Sequence, residues 1–144
     1  MEIAPGPYLN SAVLCEKVLQ EQDGVASLIR IVDRLLVSAS GPEGAIAAQP
    51  VSLVAFINLK SGDARGSHDV VIQLESPSGF RQQEVRLSVL FEGEDRGVNL
   101  VMGINFIATE EGLHWFDIGL DETFVTRIPL RVVHQRATLG SGPA

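Results

Sequence analysis

Residues 68–91 read His-Asp-Val-Val-Ile-Gln-Leu-Glu-Ser-Pro-Ser-Gly-Phe-Arg-Gln-Gln-Glu-Val-Arg-Leu-Ser-Val-Leu-Phe. Val70, Ile72 and Leu74 alternate with Val71, Gln73 and Glu75, and Val85, Leu87, Val89 and Phe91 alternate with Glu84, Arg86, Ser88 and Leu90. A period of two places one set on an apolar face and the other on a mixed face, which is the pattern of a half-buried β-strand. Between the two runs, Ser76-Pro77-Ser78-Gly79 supplies residues that tolerate turn dihedrals. The rhythm extends in both directions and predicts strands near 51–60, 68–75, 82–91, 97–108, 113–120 and 124–134. Ser61-Gly62-Asp63 and Glu92-Gly93-Glu94-Asp95-Arg96-Gly97 read as further turns. Short strands at this spacing predict an all-β sandwich rather than βαβ units.

The N-terminal third carries two conflicting patterns. Leu28, Ile29, Ile31, Val32, Leu35 and Leu36 fit one face of an amphipathic helix, yet Asp23-Gly24 between two apolar segments is a hairpin signal. Helix and strand both stay open for 26–37. If it is a hairpin, a strict two-residue turn sets Lys17 opposite Arg30, a like-charge pair, whereas a slip of one residue sets Glu16 there instead.

At 144 residues the chain suits one domain, expected over 8–136, with flexible tails at 1–7 and 137–144. Ser38–Pro50 is the longest irregular connection. The formal charge of −7, with Lys17 and Lys60 the only lysines, argues against nucleic acid and anionic membranes as partners, because phosphate-backbone affinity needs clustered Lys and Arg. Cys15 is the single cysteine, so no internal disulfide forms and a reducing cytoplasm is expected. No apolar run approaches the ~18 residues of a membrane span, and the first residues lack a secretory pattern.

The order of segments resembles a family of small, single-domain, uncharacterised prokaryotic proteins. The matching features are Ala12-Val13-Leu14-Cys15, the Asp-Gly turn, Ser27-Leu28-Ile29-Arg30-Ile31-Val32-Asp33-Arg34, Pro50-Val51-Ser52-Leu53-Val54, Asn99-Leu100-Val101-Met102, Gly112-Leu113-His114-Trp115-Phe116 and Ile128-Pro129-Leu130-Arg131-Val132. The resemblance implies an immunoglobulin-like β-sandwich of about seven to nine mostly antiparallel strands, with both ambiguous N-terminal segments as strands. It implies no catalytic residues and no cofactor. Where such sandwiches often carry a corner tyrosine that bonds back to the backbone, this chain has His114.

Little in the sequence assembles into chemistry. His68-Asp69 is half of a metal-dependent phosphohydrolase signature, but such a site needs several more ligands converging on the metal. Glu92, Glu94 and Asp95 lack the ordered spacing of a calcium loop, and no nucleophile elbow or phosphate-binding loop occurs. Cys15 among Val13, Leu14 and Val18 reads as a small buried hydrophobe. No catalytic residue and no metal site are therefore expected, with a metal-assisted hydrolase using His68 and Asp69 as one alternative and a carbohydrate-binding sandwich as another.

The constellation that stands out is the last hairpin. With a three-residue loop at Asp121, Glu122 and Thr123, Phe116 faces Ile128 on the core side, while Trp115, Asp117, Arg127, Pro129 and Arg131 share the outer face. An aromatic flanked by arginines is a composition enriched in protein interfaces. Trp115, Asp117, Arg127 and Arg131 are thus candidate partner-binding residues, in a non-enzymatic interaction or scaffold module that binds a protein or self-associates through an edge strand. Trp115 covering Pro129 within the fold is the competing reading.

Overall fold

The structure is a computed structural model that describes residues 5–39 and 48–136. The expected tail at 137–144, residues 1–4 of the N-terminal tail and residues 40–47 of the Ser38–Pro50 connection lie outside the described residues. Seven strands form one mixed, curled sheet: β1 (Tyr8–Gln20), β2 (Ala26–Ile31), β3 (Arg34–Ala39), β4 (Gln49–Glu75), β5 (Val85–Ala108), β6 (Gly112–Leu120) and β7 (Thr123–Arg136). The described residues contain no helix. The architecture is all-β, and every ladder is antiparallel except β3 against β7.

Two expected turns are not turns. Ser61-Gly62-Asp63 lies inside the 27-residue β4 and Glu92–Gly97 inside the 24-residue β5. These strands pair along nearly their whole length, from Gln49↔Ala108 to Ile72↔Val85, with register shifts only around Gly62. An extra residue in one strand bends the ladder without ending it. Gly62 adopts φ 58°, Gly93 φ 92° and Glu94 φ 60°, and the buried Ser61 donates its hydroxyl to the Arg96 carbonyl at 2.7 Å. The bend splits the long hairpin into two layers. In the first, 49–60 pairs with β1 and with 97–108; in the second, 65–72 pairs with 85–92, and the 70–75 segment pairs with β6.

One apolar cluster fills the space between the layers. Leu14, Leu53, Ala55 and Ile57 come from the first layer, and Val70, Ile72, Leu74, Phe116, Ile118, Ile128, Leu130 and Val132 from the second. Phe106 of the first layer meets Phe116 of the second edge-on, with ring centroids 6.1 Å apart. Some apolar residues that the two-residue alternation turns inward lie nearer the surface: Val85 is exposed, and Leu87, Leu100, Met102, Ile104 and Leu120 are half-buried. All but Leu120 lie on β5, whose second side has no strand among the described residues. Alternation identifies the inward face but not whether a neighbour closes it. Leu14, Val51, Leu59, Phe91 and Ala108 complete the cluster.

The N-terminal ambiguity resolves to strand. β1 and β2 are joined through Glu21–Val25, closed by Glu21 N–H to the Val25 carbonyl at 2.8 Å, with Gly24 at φ 86°. The flanking pairs Lys17↔Ile29 and Cys15↔Ile31 fix the slipped register. Accordingly Arg30 Nε lies 2.8 Å from the Glu16 carboxylate. Segment 26–39 then changes layers at Val32 and Asp33. Val32 N–H bonds the Leu14 carbonyl, and the Asp33 carbonyl accepts from Arg131 N–H; β3 continues parallel to β7. Because β3 reaches Ala39 and β4 begins at Gln49, both ends of the expected Ser38–Pro50 connection are strand.

His114 lies on β6 two residues after Gly112 and is 2 % exposed. Its Nδ1 lies 3.3 Å from the Gly112 carbonyl. Burial pushes its pKa below the ordinary 6.5, and the Gly112 bond offsets this only in part. In the window between 6.5 and the lowered native value the unfolded chain binds the extra proton, so stability falls as pH falls. The expected result is that His114→Phe removes this loss. Denaturant midpoints of both proteins at neutral and mildly acid pH check it, and equal pH slopes would contradict it.

Candidate interaction surface

β6 and β7 are joined by a tight turn at Asp121 and Glu122, with Leu120 opposite Thr123 and Gly119 opposite Phe124. The loop is therefore two residues long, not three. The odd residue appears instead as a bulge at Val125, between the pairs Gly119↔Phe124 and Ile118↔Thr126. Beyond it the register is the expected one, with Phe116↔Ile128, Asp117↔Arg127 and Trp115↔Pro129.

The outer face of this hairpin is a charge network around Asp117. Arg127 Nε lies 2.8 Å from one carboxylate oxygen and Arg81 2.6 Å from the other. Glu75, register neighbour of Trp115 on β4, takes a second contact from Arg127 at 3.0 Å. The hydrogen bond that Arg127 donates to Asp117 is the leading reason its guanidinium is held above its ordinary pKa. Its carbon then sits 4.4 Å over the Trp115 ring, a cation–π contact. Asp117, expected on the exposed face, is only 9 % exposed. With both oxygens taken by arginines it cannot offer itself to a partner, and its part is to hold Arg127 flat against Trp115.

Trp115 is half-buried, while Pro129, Arg127 and Arg131 are exposed. Arg131 stands beside Arg34 in the β3–β7 ladder, and neither has an ion-pair partner among the described residues. β3 joins β7 only from Arg131 onward, so 123–130 has no second neighbour strand among the described residues. Pro129, which lacks an N–H, lies next to where that open edge ends. Arg81 and Arg34 were missed from sequence because one comes from a loop and the other from a parallel neighbour.

The remaining candidates go elsewhere. His68 Nδ1 is 2.7 Å from Asp121, and Asp121 also accepts the Asp69 N–H at 3.0 Å. The Asp69 N–H is the main cause holding the Asp121 carboxyl below its usual range, with His68 second. This arrangement clasps β4 to the β6–β7 turn. Asp69 itself faces Arg86 at 3.8 Å. Among the described residues no three His, Cys, Asp or Glu side chains gather as a metal site. Cys15 is buried, and desolvation raises its thiol pKa, away from the thiolate that reacts. A sugar-stacking role for Trp115 is opposed by Arg127, which already covers its ring.

A sequence profile described as Family of unknown function (DUF6941) matches residues 10–133. The chain belongs to this family. No curated protein matches it. The matched span takes in the whole β6 strand and β7 through Val133, so Trp115, Asp117, Arg127 and Arg131 all lie within the family domain. No helix among the described residues is long and apolar enough to cross a membrane.

Proposed function

We propose that this chain is a non-enzymatic interaction module that docks a protein partner on the outer face of β6 and β7, through Trp115, Arg127 and Arg131, with Arg34 extending the patch. The observation that carries this reading is the Trp115–Arg127 stack, braced from below by Asp117 and Glu75. A preorganised aromatic with a fixed guanidinium loses little freedom on binding, which is how Trp and Arg come to dominate interfaces. In a chain of net charge −7, Arg131 and Arg34, paired in register on β7 and β3 and without an ion-pair partner among the described residues, favour a partner segment bearing carboxylates. We place the module in the prokaryotic cytoplasm, a reading supported by its single buried thiol. An immunoglobulin-like sandwich is part of the same proposal, supported by the two layers and by a strand that changes layers to lie parallel to the last one.

The test is the double substitution Trp115→Ser with Arg131→Ser, assayed for folding and for association with proteins captured from the native host. Preserved stability with loss of the native complex is the expected outcome. Unfolding with no effect on partners would show that Trp115 serves the core alone.

A further inference from the structure

The second half of β5, Gly97-Val98-Asn99-Leu100-Val101-Met102-Gly103-Ile104-Asn105-Phe106-Ile107-Ala108, contains no charged side chain, in a chain that is 20 % charged. It pairs with β4 on one side without a register shift, from Lys60↔Gly97 to Gln49↔Ala108. Among the described residues nothing pairs with its other side. Natural sheets usually guard such an edge with lysine, proline or a bulge, because its free N–H and C=O groups are a template for another strand. Here none of these is present, and Val101 and Ile107 are exposed while Val98, Leu100, Met102 and Ile104 are half-buried.

The segment is close to a palindrome about Met102. Leu100 mirrors Ile104, Val98 mirrors Phe106, Asn99 mirrors Asn105 and Val101 mirrors Gly103. Two antiparallel copies related by a two-fold axis perpendicular to the sheet would set each mirrored pair directly opposite, with every residue kept on its own face. The inner face would then match apolar with apolar. On the outer face the asparagines would meet each other, each already hydrogen-bonded on its β4 side, Asn99 by Asn58 and Asn105 by Ser52.

We propose that a second copy of this chain docks along this edge, β5 against β5, antiparallel, with Met102 at the two-fold axis. The neutrality of the strand is what permits it, since two copies that each carry −7 repel elsewhere. Added salt therefore strengthens the dimer by screening that repulsion. This surface is distinct from the Trp115 face, and the proposal does not rest on the reading given to that face.

Two measurements test it. Sedimentation of the purified chain over a range of concentration should show a dimer that tightens with salt and survives the Trp115→Ser, Arg131→Ser double substitution. Val101→Lys brings two like charges together near the axis and should weaken the dimer by roughly tenfold or more. Because that variant could also misfold, mild oxidation of Met102→Cys in a Cys15→Ser background supplies an independent readout. Residue 102 lies beside its own copy within disulfide reach, whereas residue 98 lies beside 106, so Met102→Cys should cross-link and Val98→Cys should not. A monomer at every concentration, or equal cross-linking at both positions, would overturn the proposal.

Discussion

Truncating Phe116 to alanine lowers the free energy of unfolding by about 3–5 kcal/mol, the range for buried aromatic truncations. The ring is 2 % exposed and stands between Leu74 of β4 and Ile128 of β7 in the ladder of the second layer. Phe106 closes on it edge-on from the first layer. Removal therefore opens a void that neither layer can fill alone. A domain of this size has roughly 5–15 kcal/mol in total, so the loss is about a fifth of it or more. Denaturant titration checks this: the midpoint should fall at unchanged slope. A loss below about 1 kcal/mol, within the range of ordinary surface changes, would mean the two layers do not share this core.

Gly62→Val is expected to cost roughly 2–4 kcal/mol, combining left-handed backbone strain with overpacking. A Cβ at residue 62 would lie 2.6 Å from the Tyr8 ring and 2.7 Å from the Pro5 carbonyl oxygen, at φ 58°. That point holds β1, the preceding chain and the β4 bend together, with Asp63 N–H bonding the Pro5 carbonyl. Gly24→Ala is the control: φ is 86° but nothing lies within 4 Å of the new atom, so only the strain remains and the loss is smaller. Equal losses at both positions, again by denaturant midpoint, would show that the bend is not packed as described.

The inward faces of the second layer were legible because alternation is a local property, and Val70, Ile72, Leu74, Phe116 and Ile128 all turn inward as their spacing requires. Charge pairing also worked at short range, since Glu16 and Arg30 decide the β1–β2 register where turn chemistry alone misleads. The bends at Gly62 and Gly93 were not legible as bends. Glycine flanked by acids serves a reversing turn and a bulge equally well, and only the distant partner strand distinguishes them. The helix-like spacing of 26–37 has a related origin. β2 and β3 belong to different layers, and the break at Val32 and Asp33 shifts the parity of the inward residues, so Val32, Leu35 and Val37 face the core while Ile31 and Leu36 are exposed.

The candidate surface divides in the same way. Asp117 opposite Arg127 and Trp115 opposite Pro129 follow from one hairpin and were readable. Glu75, Arg81 and Arg34 reach the same face through pairings far apart in sequence, and Asp117 is covered because Arg81 joins Arg127 on its carboxylate.

Trp115 is the only tryptophan in the chain, so its fluorescence reports on the proposed docking surface alone. The decisive measurement compares quenching by iodide and by caesium at equal ionic strength. On a protein of net charge −7 an exposed tryptophan should in general be quenched better by the cation. The expected result is the reverse, iodide over caesium, because Arg127 lies over the ring and Arg131 and Arg34, which have no ion-pair partner among the described residues, follow on β7 and β3. Stronger quenching by caesium, or none by either ion, would contradict an open, cation-rich surface at Trp115.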